Sequence, residues 1–82
     1  MEKSKAIKII QDEKLTNFNM FEERDNKENE VVIMKRTGKW IVYVTDERAS
    51  KITNSVDEYV TESEALDDFI DRLRADKLLR KL

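Results

Sequence analysis

EVVIMKRTGKWIVYVTDER, residues Glu30 to Arg48, is the stretch on which the reading of the fold turns. Two apolar runs, Val31–Met34 and Trp40–Val44, flank a polar turn at Lys35–Lys39. Both runs are rich in β-branched and aromatic residues, which suit a pleated surface. The turn holds Gly38, the single glycine of the chain, and glycine reaches positive φ without strain. Together these features predict a β-hairpin. Its side chains alternate between faces. Trp40, Val42 and Val44 fall on one face of the second hairpin strand, and Ile41, Tyr43 and Thr45 on the other. A two-residue loop puts Val31 and Ile33 on the tryptophan face and Val32 and Met34 on the tyrosine face, whereas a bulge at Gly38 exchanges the two sets. In either register both faces carry apolar groups. One must lie under helix. The other is a thinner second core or a contact surface.

Working outward, Glu2 to about Leu15 is rich in helix formers and predicts a helix. Its apolar stripe is Ala6, Ile7 and Ile10, with Ile9 pointing away; the run Ala6–Ile10 is also compatible with a short strand. A strand is expected from Phe18 to about Arg24, and the polar linker Asp25–Asn29 allows an antiparallel return into the hairpin. Beyond the hairpin, Ala49–Ser55 reads as a loop and Val56–Val60 as a short fourth strand. Thr61-Glu62-Ser63-Glu64 matches a capping box. The helix it opens turns Leu66, Phe69, Ile70 and Leu73 to one face, at i, i+3, i+4 and i+7. Past Arg74 the pattern shifts, and Leu78, Leu79 and Leu82 project from the opposite side. There the helix ends, bends near Asp76, or carries a second apolar patch; the plainer expectation is a tail folded back on the first helix. The predicted class is α+β, a two-layer fold in one domain spanning residues 1–82. An antiparallel three- to four-stranded meander carries the helices, in the order α-β-β-β-(β)-α.

Composition narrows the function. Charged residues make up 41% of the 82, yet the net charge is −2. A sequence pI near 5.2 lacks the basic balance usual in nucleic-acid binders. The predicted element order is that of a double-stranded-RNA-binding domain. Where such domains place lysines, at the start of the second helix, this chain has Glu62-Ser63-Glu64 and then Asp67, Asp68 and Asp71, which would repel RNA. Histidine and cysteine are both absent, removing the commonest general base, the best nucleophile and the usual zinc and iron–sulfur ligands. One glycine cannot build a phosphate-cradling loop, and no Asp-rich calcium loop is present. The acidic pairs Glu22-Glu23, Asp46-Glu47 and Asp67-Asp68 are sequence neighbours, which do not face one another on a helix or strand. The expectation is a non-enzymatic binding domain with no catalytic residues, cofactor or metal. Without a signal-like N-terminus, a run of about 20 apolar residues or cysteines, it is expected in the cytoplasm, with no membrane partner.

The outer face of the last helix is the leading candidate surface. Glu64, Asp67, Asp68 and Asp71 lie beside or opposite its buried stripe, partly neutralised by Arg72 and Arg74. Such a face speeds encounter with a basic protein and rejects wrong partners; the plain alternative is a solvated helix face. Asp46, Glu47 and Arg48 would extend the patch, unless they are ordinary strand-end polarity. Ile41 and Tyr43 are candidate anchors, since aromatic residues often dominate interfaces; otherwise they pack against the first helix.

Lys39–Arg48, KWIVYVTDER, followed by Glu58–Leu73, EYVTESEALDDFIDRL, resembles the small immunity proteins of bacterial polymorphic toxin systems. Members of that family look like compact α+β domains. They have a strand of the form W-x-V-Y-x-T-D-E-R, then a loop and a helix of the E-E-A-L-x-x-F type. The likeness spans Val31 to Leu73, about half the chain. Family members often carry glycine after D-E-R, where this chain has Ala49. The resemblance implies a stoichiometric inhibitor in the cytoplasm of the toxin-producing cell, occluding a cognate toxin domain that is often a nuclease. A different class is an adaptor that homodimerises through the second sheet face or through Leu78, Leu79 and Leu82.

Overall fold

A computed structural model describes residues 1–81. Its elements are α1 (Lys3–Glu13), β1 (Phe18–Met20), β2 (Val31–Arg36), β3 (Lys39–Val44), β4 (Asp57–Tyr59) and α2 (Glu62–Arg80), with one 3₁₀ turn at Thr53–Ser55. The α+β class and the order α-β-β-β-β-α follow the sequence expectation.

The hairpin has the two-residue register. Arg36 pairs with Lys39, Ile33 with Val42 and Val31 with Val44. Its loop residues, Thr37 at φ 52° and Gly38 at φ 79°, are both left-handed, as a type I′ turn requires. There is no bulge at Gly38. Val31, Ile33, Trp40, Val42 and Val44 therefore share a face, and Val32, Met34, Ile41 and Tyr43 share the other.

The strand order is β1-β2-β3-β4. β4 pairs antiparallel with β3, Trp40 opposite Tyr59. β1 departs from the expected meander: it runs parallel to β2, with Phe18 opposite Val31 and Met20 opposite Ile33. The sheet is mixed rather than wholly antiparallel. β1 also stops at Met20, short of Arg24, because Phe21 turns left-handed at φ 62°. From Phe21 to Glu30 the chain crosses back over the tyrosine face. Asn19, opposite Val32, starts this crossover: its side chain donates to the Glu22 carbonyl at 3.0 Å and accepts from the Glu22 amide at 2.8 Å.

Both helices cover the tryptophan face. The main core joins Ile33 and Val42 of the sheet to Ala6 of α1 and to Leu66, Phe69, Ile70 and Leu73 of α2. Phe18 meets Phe69 edge-on, ring centroids 6.1 Å apart. On α1 the packed set is Ala6, Ile9 and Ile10, while Ile7 is 39% exposed; the stripe is turned one position from the expected one. α1 ends in a Schellman motif, Leu15 N–H to the Ile10 carbonyl and Lys14 N–H to the Gln11 carbonyl, which brings Leu15 into the core beside Ile10. Trp40 is half-buried at the hairpin-turn end of the core, its ring under the Lys35 ammonium at 4.7 Å. It closes an edge; Phe69 fills the centre.

α2 continues past Asp76 to Arg80 and does not end there. It leans on α1 through Arg74 to Glu13 and Lys77 to the Glu13 carbonyl, yet Leu78 and Leu79 stay 67% and 69% exposed instead of folding onto α1. Leu82 lies outside the described residues.

Two stability outcomes are expected in urea titrations. Phe69→Ala should cost about 3–5 kcal/mol, and more than Trp40→Ala, because a central ring leaves the larger cavity. Ala49→Gly should stabilise by about 1 kcal/mol, since Ala49 is held at φ 63°, where a Cβ is penalised.

Candidate partner-binding surface

α2 begins at Thr61, whose hydroxyl oxygen accepts from the Glu64 amide at 3.2 Å and whose O–H donates to the Glu64 carboxylate at 2.9 Å. The cap is thus closed by the two side chains rather than by a bond from the Thr61 amide. With Leu66, Phe69, Ile70 and Leu73 facing inward, the 100° step per residue turns Glu64, Asp67, Asp68 and Asp71 outward. The four acids differ in what they hold. Asp67, 59% exposed, accepts from the Met1 amine at 2.8 Å. Asp68 is engaged twice, by the Tyr59 hydroxyl at 2.7 Å and by Arg72 Nε at 3.0 Å. Arg72 also donates to the Ser55 carbonyl at 2.8 Å and to Asp57 at 2.7 Å. Tyr59, Asp68, Arg72 and Asp57 therefore staple β4 and its preceding turn to α2. The bond to Asp68, helped by burial and the nearby acids, pushes the Tyr59 phenol up to about 12. Glu64, Asp67 and Asp71 are the exposed acids; Glu64 still holds the Thr61 hydroxyl and Asp67 the Met1 amine.

Asp46, Glu47 and Arg48 sit in the turn after β3. The Asp46 carboxylate accepts from the backbone N–H of Ser50 at 3.0 Å and of Arg48 at 2.8 Å. Those two donors hold its carboxyl below the usual carboxylate range. Asp46 thus organises the turn, while Glu47 and Arg48 are exposed. The Asn29 amide donates to the Asp46 carbonyl at 3.0 Å, and Arg80 donates to the Asn29 carbonyl at 3.3 Å. The turn therefore adjoins the last turns of α2, not the acids at its start.

Ile41 and Tyr43 lie on the opposite side of the sheet. Tyr43 is 8% exposed, donates to Asn26 at 2.8 Å, and has the Lys51 ammonium 5.5 Å from its ring centroid. It packs with Val32 and Met34 in a second, smaller core. Its cover is the crossover, not α1. Ile41 is half-buried beside it. The nine candidate residues thus divide into three groups, with the sheet separating Ile41 and Tyr43 from the acids of α2.

The group that sequence reasoning missed is the one holding the crossover down. Arg24 makes a two-pronged pair with Glu30, at 2.7 and 3.0 Å, and the Lys27 amide donates to the same carboxylate at 2.8 Å. Thr45 accepts from the Glu30 amide at 2.8 Å and donates to the Lys27 carbonyl at 2.7 Å. Glu30 is 3% exposed. Burial alone would raise its carboxyl, but Arg24 and the Lys27 amide together bring it below the ordinary value. The only trace in the sequence is a polar residue at the mouth of a four-residue apolar run.

Two depressions mark this end of the molecule. One, of about 480 Å³, is polar and bounded by Asn17, Arg24, Lys27 and Glu30. The other is a groove of about 310 Å³ between the end of α2 and the ends of β2 and β3. Among the described residues no group of three or more Asp or Glu is placed to hold a metal ion, and no helix is long and apolar enough to cross a membrane. The model of the family described as Immunity protein 59 matches residues 2–81. No curated protein and no solved structure matches the chain.

The Glu30 carboxyl gives a pH signature. Its folded value is lowered, so its contribution is present above the unfolded value, near 4.5, and is lost as pH falls through the folded value. Urea midpoints should drop between pH 5 and more acid conditions. Glu30→Gln should destabilise at pH 7 by about 1.5–3 kcal/mol, because Arg24 loses its two-pronged partner and keeps only Glu22, at 3.1 Å, and should flatten that acid slope.

Proposed function

Because the chain belongs to the Immunity protein 59 family and is a small immunity protein, we propose that it neutralises its toxin by stoichiometric binding rather than by catalysis. The reading puts it in the cytoplasm of the toxin-producing cell. The target is a toxin domain with a basic face, of the kind a nuclease uses to hold phosphate. The observation that carries this reading is the row of exposed acids Glu64, Asp67 and Asp71 on the outward side of α2, met only by the Met1 amine at Asp67 and the Thr61 hydroxyl at Glu64. The acids sit on a rigid helix whose opposite side is the core, so their spacing is fixed before any partner arrives. A preformed row of one sign steers a basic surface and raises the rate of encounter. The chain exposes 5523 Å², so a standard interface of about 800 Å² per partner would use about 15% of it. Asp68 is not part of the row, because Tyr59 and Arg72 occupy it.

The test is co-expression with the toxin domain encoded beside this chain, together with association kinetics on the purified pair. The double variant Asp67→Lys, Asp71→Lys should melt within a few degrees of wild type, since both side chains are exposed and the exposed Asp67–Met1 pair it removes is worth at most about 1 kcal/mol. It should associate about 10- to 100-fold more slowly at low salt and lose protection. Wild-type association and full protection in that variant would overturn the acidic-helix reading.

A further inference from the structure

We infer that the interaction face continues past the acids into an apolar slot at the C-terminal end of α2, which receives one aliphatic or aromatic side chain of the toxin domain from between that partner's basic residues. This rests on the toxin-binding reading above and adds the anchor that the acids alone lack.

The slot holds about 310 Å³, room for one large side chain. Val31 and Val44 of the sheet and Ala75 and Leu79 of α2 line it, with Arg72 and Asp76 also on its helical side. Ala75 and Leu79 are one turn apart and fall on the same outward side of α2 as Asp68 and Asp71. Leu79 is 69% exposed. A lone exposed leucine is ordinary, but one that walls a groove with a valine floor gives a partner side chain a place to lose its water. Interfaces draw most of their energy from such filled, desolvated pockets, and charged rims add rate and selectivity.

Charge decides the occupant. The two cations at the slot are already matched: Arg72 by Asp57 and Asp68, and Arg80 by Asp76. Beyond Asn29 lie Asp46 and Glu47, and one turn before Ala75 lies Asp71. The surround is therefore acidic and suits a plug flanked by lysine or arginine. A second copy of this chain fits worse. Crossing two α2 helices antiparallel at their midpoints sets Leu79 against Glu64 and Asp67, and setting them parallel opposes acid to acid. An end-to-end contact through Leu78 brings together Lys77 and Lys81 of both copies, which share its depression with the paired Arg74 and Glu13.

Leu78 supplies the control, being 67% exposed but not a lining residue of the slot. Full-length wild type, Leu79→Gln and Leu78→Gln would be measured against the catalytically inactivated toxin domain encoded beside this chain, with sedimentation velocity on each free protein. Leu79→Gln should dissociate at least 30-fold faster with an association rate within twofold of wild type. Leu78→Gln should bind within about threefold of wild type, and all three should melt alike and sediment as monomers. If Leu79→Gln binds like wild type while Asp67→Lys, Asp71→Lys does not, the slot is overturned and the acidic-helix reading stands. If wild type itself does not bind, both fall. A wild-type dimer that Leu79→Gln turns into monomers would assign the slot to a second copy and overturn the inference.

Discussion

Four consecutive buried residues, Val31 to Met34, oblige this sheet to be covered on both sides. A strand that faces water on one side alternates apolar and polar residues; this one does not. The two helices both lie over the tryptophan face, so no helix remains for the other. The chain covers that other face with backbone, leading Phe21–Glu30 across it. A crossover of this kind connects parallel strands, so the direction of β1 follows from the need to bury Val32, Met34 and Tyr43. Irregular backbone over a sheet leaves polar groups to satisfy. Asn19, Arg24, Glu30 and Thr45 bond to them, Asn26 takes the Tyr43 hydroxyl, and the described residues contain no buried side-chain nitrogen or oxygen without a partner.

The same scarcity of material shows in the turns. With one glycine available, six other residues adopt left-handed backbone: Lys14, Asn17, Phe21, Asn29, Thr37 and Ala49. Asparagine tolerates that region, but threonine and alanine are penalised there by about 1–2 kcal/mol each. These turns cap α1, start the crossover, close the hairpin and end β3. They are the points at which the chain reverses or changes direction, and the packed core holds them against their local preference. Ala49 is held at φ 63°, a conformation that glycine would adopt without that penalty.

On the functional side, the structure sorts acids that look equivalent in sequence. Asp68 and Asp57 clamp Arg72, and Asp46 organises a turn. Glu64, Asp67 and Asp71 are left on the outward side of α2. On the reading proposed above, the exposed acids near the start of this helix serve encounter and the apolar wall near its end serves retention. That division of labour fits an inhibitor whose role is to reach a toxin quickly and release it slowly.

The hairpin, the Thr61 cap and the buried stripe Leu66, Phe69, Ile70 and Leu73 were legible in the sequence, because each is written in periodicity and propensity over a few neighbouring residues. The two-residue loop was one of two legible registers, and the fold selected it. The direction of β1, the cover over Tyr43, the one-position turn of α1 and the engagement of Asp68 were decided by tertiary structure. The first three depend on partners far apart along the chain: Asn26 with Tyr43, Thr45 with Glu30, Glu13 with Arg74; the last needs β4 to set Tyr59 beside α2. Local patterning sets which side chains seek burial, whereas which ion pairs and crossings complete that burial is settled only when the distant segments meet.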